Sequence, residues 1–195
     1  MKKQHKYTVF LILLLAVGVS ACKKKKEKDP YADLTGHYFS IKEYAFDQWQ
    51  TFAHAPFTIV KTVKVNDGKT DSIYTNSDTI SWAPIFKVFF ETDISDRSFL
   101  GKYKFTQFDD NQDGTHNFFY EAQDEDLLTQ KLLITMDQYT RKVRGIYIET
   151  GKKDLMGEHV QKLYYKPMKT IQIQTDNKPV LGSYTFTIVQ YDFML

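Results

Sequence analysis

The stretch Phe57-Thr58-Ile59-Val60-Lys61-Thr62-Val63-Lys64-Val65-Asn66-Asp67-Gly68-Lys69-Thr70-Asp71-Ser72-Ile73-Tyr74-Thr75 reads as two strands and the turn between them. Phe57, Ile59, Val63 and Val65 alternate with Thr58, Thr62 and Lys64. A period of two sends one set of side chains to a buried face and the other toward water. Asn66-Asp67-Gly68 supplies residue types that accept the backbone angles of a tight hairpin.

The same pattern recurs outward from this hairpin. Phe86, Val88 and Phe90 alternate with Lys87 and Glu91, although Ile85 and Phe89 make that run two-sided. Tyr103 and Phe105 lie between Lys102, Lys104 and Thr106. Ile171 and Ile173 alternate with Thr170, Gln172 and Gln174, and Tyr184, Phe186 and Ile188 with Thr185 and Thr187. Turn residues at Asp113-Gly114, Asp137 to Arg141 and Asp176-Asn177-Lys178-Pro179 separate such runs. Strands are expected at 36–45, 56–66, 69–75, 79–92, 101–109, 116–123, 131–137, 142–150, 161–175 and 183–194. The predicted fold is all-β, an antiparallel meander of about 8–10 strands. Helix is expected only in short pieces, at 44–53, where Ala45, Trp49 and Phe52 have helical spacing, and as one turn over Glu125 to Lys131. Such a meander hides its edges by closing into a barrel or by pairing two sheets as a sandwich.

Composition sets the outer limits. The chain has 195 residues, 42% hydrophobic and 15% aromatic, with 26 Lys+Arg against 24 Asp+Glu. This content supports a packed domain and argues against a disordered chain. One Cys excludes an internal disulfide framework and a multi-cysteine metal cluster.

The near-neutral charge is a sum of unlike parts. Lys2, Lys3 and Lys6 precede an apolar run from Val9 to Val19, about half the ~20 residues of a spanning helix. Residues 1–21 therefore read as a secretory signal. The tether 22–30 carries five lysines, Glu27 and Asp29. Without these two parts the remaining chain holds 18 basic and 22 acidic residues, a net charge of −4. Such a domain, 31–195, is a poor polyanion binder, and no nucleic-acid partner is expected.

Val19-Ser20-Ala21-Cys22 resembles the lipobox of bacterial lipoproteins, with an aliphatic residue, two small residues and then Cys. The resemblance implies diacylglycerol on the Cys22 thiol, cleavage just before it, and acylation of the new amino group. The implied partner is the lipid membrane, reached through acylated Cys22. Two or more acyl chains anchor stably, at about 0.8 kcal/mol per buried CH₂. Lys23 follows the Cys where retained lipoproteins have Asp, which by analogy implies the outer membrane. The lysines of the tether read either as contacts to anionic head groups or as a solvated spacer.

A weaker likeness lies at Leu34-Thr35-Gly36-His37-Tyr38, which resembles the Gly-x-Trp opening of lipocalin-like barrels, with Tyr38 in the place of Trp. It implies a lipocalin-like barrel in preference to a sandwich. Asp71-Ser72-Ile73 and Asp78-Thr79-Ile80 resemble acceptor triplets of a bacterial periplasmic O-glycosylation system, with Ser72 and Thr79 as acceptors.

Candidate chemistry is sparse. Asp109, Asn111 and Asp113, with Gly114 behind them, place oxygen ligands two residues apart, a spacing that suits calcium. Tyr120 stands where an EF-hand supplies its bidentate Glu, and an acidic hairpin tip accounts for the same residues. From Phe105 to Gln130 the chain has seven acids and no Lys or Arg, which reads as a docking patch for a basic partner or as a solvated rim. His37, His54, His116 and His159 show no metal-binding spacing, and no nucleophile motif or phosphate-binding Gly loop occurs. No enzymatic activity is expected. Phe118, Phe119, Tyr120 and the aromatics between Trp82 and Phe90 line a ligand cavity or fill a core. Two functions follow: an envelope lipoprotein binding a lipophilic or other small ligand, or a non-catalytic assembly subunit docking on an envelope protein through its acidic hairpin or a strand edge.

Overall fold

A computed structural model describes residues 38–53, 55–66, 68 and 70–194. The signal, Cys22, the tether and the Leu34 to His37 part of the lipocalin-like motif lie outside the described residues.

The alternating runs form nine strands: β1 (Thr58–Val65), β2 (Asp71–Asn76), β3 (Tyr103–Asp110), β4 (Thr115–Ala122), β5 (Thr129–Asp137), β6 (Val143–Asp154), β7 (Gly157–Lys166), β8 (Thr170–Pro179) and β9 (Thr185–Met194). All neighbours are antiparallel, in the order β2-β1-β9-β8-β7-β6-β5-β4-β3. The chain thus folds as an all-β antiparallel sheet. Seven strands meander from β3 to β9, and the first hairpin joins beside the last strand. The sheet is not closed, because β2 and β3 are its outer strands. The hairpin turn forms as its residues dictate: Asn66 has φ 49°, and Gly68 N–H donates to the Val65 carbonyl at 3.0 Å.

Two helices lie on one face of the sheet, α1 (Ile41–Ala53) and α2 (Trp82–Phe90). The expected helix at 44–53 is present and begins three residues earlier, so the strand expected at 36–45 is corrected. The Asp93 carboxylate accepts from Ile41 N–H at 2.8 Å and satisfies a donor at the start of α1. The strand expected at 79–92 is also corrected: α2 occupies it. Trp82, Ile85, Phe86 and Phe89 are buried, and their spacing of three and four residues makes one helical stripe. Pro84 sits in the first turn of α2, where its missing N–H costs no hydrogen bond.

Two further boundaries differ. The run 161–175 is two strands, β7 and β8, divided at Pro167 to Lys169 with Met168 at φ 54°. Asp176 to Pro179 is the paired end of β8 rather than a turn. Residues 125–128 form no helix, and β5 starts at Thr129.

The core lies between the helices and the sheet. Phe52 is fully buried, its ring 4.7 Å from Phe193, 5.4 Å from Trp82 and 5.8 Å from Phe86. Tyr165 meets Phe86 and Phe89 edge-on and donates its hydroxyl to Gln48 of α1. Burying a side chain of this size is worth about 1.5–3 kcal/mol each. Two of the polar groups drawn in are satisfied: Trp82 Nε1 donates to the Ser77 carbonyl at 2.7 Å, and buried Ser77 accepts from Phe57 N–H at 2.9 Å. The void among Tyr44, Gln48, Phe86, Phe89 and Tyr165 is about 10 Å³, too small to hold a ligand. Around that void these aromatics pack as core.

Candidate functional site

Strand alternation also delivers residues to the part of the helix face that the helices leave open. Ile59, Lys61, Val63 and Val65 share that face of β1, since Ile59 and Lys61 pair with Phe193 and Tyr191 of β9. Tyr191 faces the helices, its ring 6.0 Å from that of Trp82. Lys61 is thus a lysine in the apolar phase of its strand. Its ammonium lies 5.8 Å from the centre of the Tyr191 ring, within range of a cation–π contact.

A groove of about 490 Å³ opens beside it. Its floor is Ile173 of β8, Val189 and Tyr191 of β9, Lys61 of β1, and Ile73 and Thr75 of β2. Its wall is the segment Thr79-Ile80-Ser81 and the first turn of α2, through Pro84 and Ile85. The volume falls in the range of small-molecule sites, and the aliphatic side chains of the lining are joined by the hydroxyls of Thr75, Thr79, Ser81 and Tyr191. Lys61 is the single charged residue in that lining, and among the described residues no carboxylate forms an ion pair with it. An isolated ammonium over an apolar floor suits a molecule with an apolar body and one acidic group.

A second groove, of about 610 Å³, lies over Leu133, Thr135, Tyr147 and Tyr164 on the opposite face of the sheet. Its charges are already engaged in part. Arg144 donates to the Asp137 carboxylate and, at 2.7 Å, to the Asp113 carbonyl. Asp137 also accepts from Tyr139 and Thr140 N–H at 3.0 and 2.7 Å. These backbone donors, with the Arg144 guanidinium, hold its carboxyl far below the usual carboxylate range. The Tyr147 hydroxyl donates to Glu149 at 3.1 Å, and burial together with that carboxylate pushes its pKa up to about 12. This constellation ties turns together and leaves no free guanidinium.

The acidic turn divides its residues among separate tasks. Asp109 contacts His116 across the β3–β4 hairpin. Asp110 accepts from Gln112 N–H at 2.9 Å and Asp113 N–H at 3.3 Å, which shapes the turn. Asn111 sits in the turn, and the Asp113 carbonyl is taken by Arg144. Among the described residues no three His, Cys, Asp or Glu side chains converge as metal ligands. Ser72 and Thr79 are exposed, Ser72 beside Thr62 on β2 and Thr79 hydrogen-bonded to Thr75 and the Asn76 carbonyl. His159 lies on β7, and His37 and His54 lie outside the described residues.

Sequence reasoning missed the groove. The signal was there in Lys61, which interrupts the apolar series Phe57, Ile59, Val63, Val65 in phase. Its wall is hidden because Phe86, Val88 and Phe90 alternate as a strand does. No family model, curated protein or solved structure matches the chain.

Proposed function

We propose that the chain is a lipid-anchored envelope protein of the outer membrane, held by acylated Cys22, whose β-domain binds a lipophilic small molecule bearing an acidic group. The reading rests on one observation: Lys61 is the lone charge of an apolar groove of about 490 Å³. The packed aromatic core supports it indirectly, because it leaves the grooves as the available sites. The ligand's chain lies along Ile173, Val189 and Ile85, and its acid group meets the Lys61 ammonium.

Native mass spectrometry of the gently purified protein tests this. A reproducible extra mass, lost on denaturation and absent from Lys61→Glu, is the expected result. A bare mass for both proteins overturns the reading.

A second reading, docking of an envelope protein by strand addition, is favoured by the outer position of β2 and the exposure of its Ile73 and Tyr74. Photo-crosslinking from position 74 in the intact envelope tests it, with a discrete adduct expected.

A further inference from the structure

Four large apolar side chains project from two adjacent turns. Leu155 and Met156 form the tip of the β6–β7 hairpin, exposed at 96% and 79%. Val180 and Leu181 follow β8, exposed at 69% and 91%. The turns are joined, since Val180 N–H donates to the Met156 carbonyl at 2.9 Å. The junction is also sterically fixed: Gly157 has φ +143°, and a Cβ there would lie 2.3 Å from the Lys178 carbonyl oxygen. Val65, which ends β1, and Tyr184, just ahead of neighbouring β9, are each about half exposed at the same end of the sheet. Single exposed apolar residues are ordinary, but a contiguous tip of this kind marks a contact surface.

The charge around the tip is balanced. Lys152 pairs with Asp154 at 3.4 Å and Lys178 with Glu158 at 3.7 Å. An acidic or basic partner therefore gains little there, whereas an apolar medium bordered by polar groups suits it.

The course of the chain says which medium. Tyr38, the first described residue, packs its ring 5.7 Å from Tyr120 and donates to the Phe99 carbonyl. It thus lies just ahead of the start of β3. In an antiparallel sheet that is the end where β4 finishes, β5 starts and β6 finishes, the end that carries the tip. Residues 22 to 37 reach at most about 55 Å when extended.

We propose that Leu155, Met156, Val180 and Leu181 insert into the surface of the bilayer, so that the domain docks on the membrane by this end. The insertion is apolar, independent of anionic lipid and little affected by salt. Docking at this end rests on the anchor reading for its geometry, and the experiment separates the two.

Full-length protein with an environment-sensitive dye on Leu155→Cys is held on phosphatidylcholine vesicles in two ways. One uses its own lipid. The other uses an N-terminal histidine tag on nickel-chelating lipid with Cys22→Ser. Dye on Tyr139→Cys, at the opposite end of the sheet, is the control. The expected result in both formats is a blue shift and several-fold stronger quenching by bilayer-borne quencher at 155 than at 139, unchanged by salt. Equal, aqueous signals at the two positions in the tagged format overturn the proposal whatever Cys22 carries. Failure of the untagged protein to float with vesicles sinks the anchor alone. The variant Leu155→Ser/Leu181→Ser, labelled at Met156→Cys, should lose the shift while keeping the circular dichroism of the parent.

Discussion

The helix face of the sheet holds two neighbouring regions built to different rules. At one, Phe52, Trp82, Phe86 and Phe193 pack ring against ring between α1, α2 and β9. At the other, a few strand positions away, Lys61, Tyr191, three hydroxyl residues and a set of aliphatic side chains border an open groove. The conspicuous rings pack against one another, and less conspicuous residues border open space.

Alkali acts most severely on the packed region. Burial raises the hydroxyls of Tyr44, Tyr103 and Tyr120 from 10.0 to about 12 and that of Tyr165 further still. A folded-state pKa above the unfolded one favours folding fully below the unfolded value, and that contribution is lost as pH rises through the folded value. Stability should therefore hold up to pH 10 and collapse toward pH 12, with the ring signals of Tyr44, Tyr103 and Tyr120 in tyrosine-labelled NMR titrating only in the step that abolishes near-ultraviolet dichroism. Ionisation of these three rings well ahead of unfolding would contradict the packed region as described.

Next in size is Phe52→Ala. Removing a fully buried Phe costs about 3–5 kcal/mol through lost burial and the cavity left behind. Urea unfolding should show that loss, and a value below about 1 kcal/mol would mean the rings do not form one core.

Asp137→Asn sharpens the contrast with the polar turns at the far end. Its folded-state pKa is depressed, chiefly by the Thr140 N–H and Arg144, so its contribution is present above the usual 3.8 and is lost as pH falls through the depressed value. The variant should be the less stable at neutral pH and converge on the parent in acid. Parallel stability curves would refute the assigned network.

The smallest stability effect belongs to the open region. Lys61→Glu should change the unfolding free energy by no more than about 0.5 kcal/mol, because Lys61 has no ion pair to lose among the described residues. A large destabilisation would make Lys61 a structural residue.

Much of this layout is legible in the chain. Asn66-Asp67-Gly68 specifies its hairpin, and alternation places β1 to β6 and β9 within a few residues of their ends. The misreadings have physical causes. Phe86, Val88 and Phe90 satisfy period two while Trp82, Ile85, Phe86 and Phe89 satisfy the helical period, and tertiary contact with Tyr165 and Phe193 selects the helix. The β7–β8 turn escapes notice because Met168 adopts a left-handed conformation that glycine usually takes. The groove is composite, drawn from β1, β2, β8, β9 and α2, so no local spacing announces it.

The most direct test of the account is an NMR titration of isotope-labelled protein with an unbranched long-chain fatty acid. Amide shifts confined to Lys61, Ile73, Ile85, Ile173 and Val189, and abolished in Lys61→Glu, are predicted. Shifts centred instead on Tyr147 and Tyr164 across the sheet, or none at saturating ligand, would contradict it.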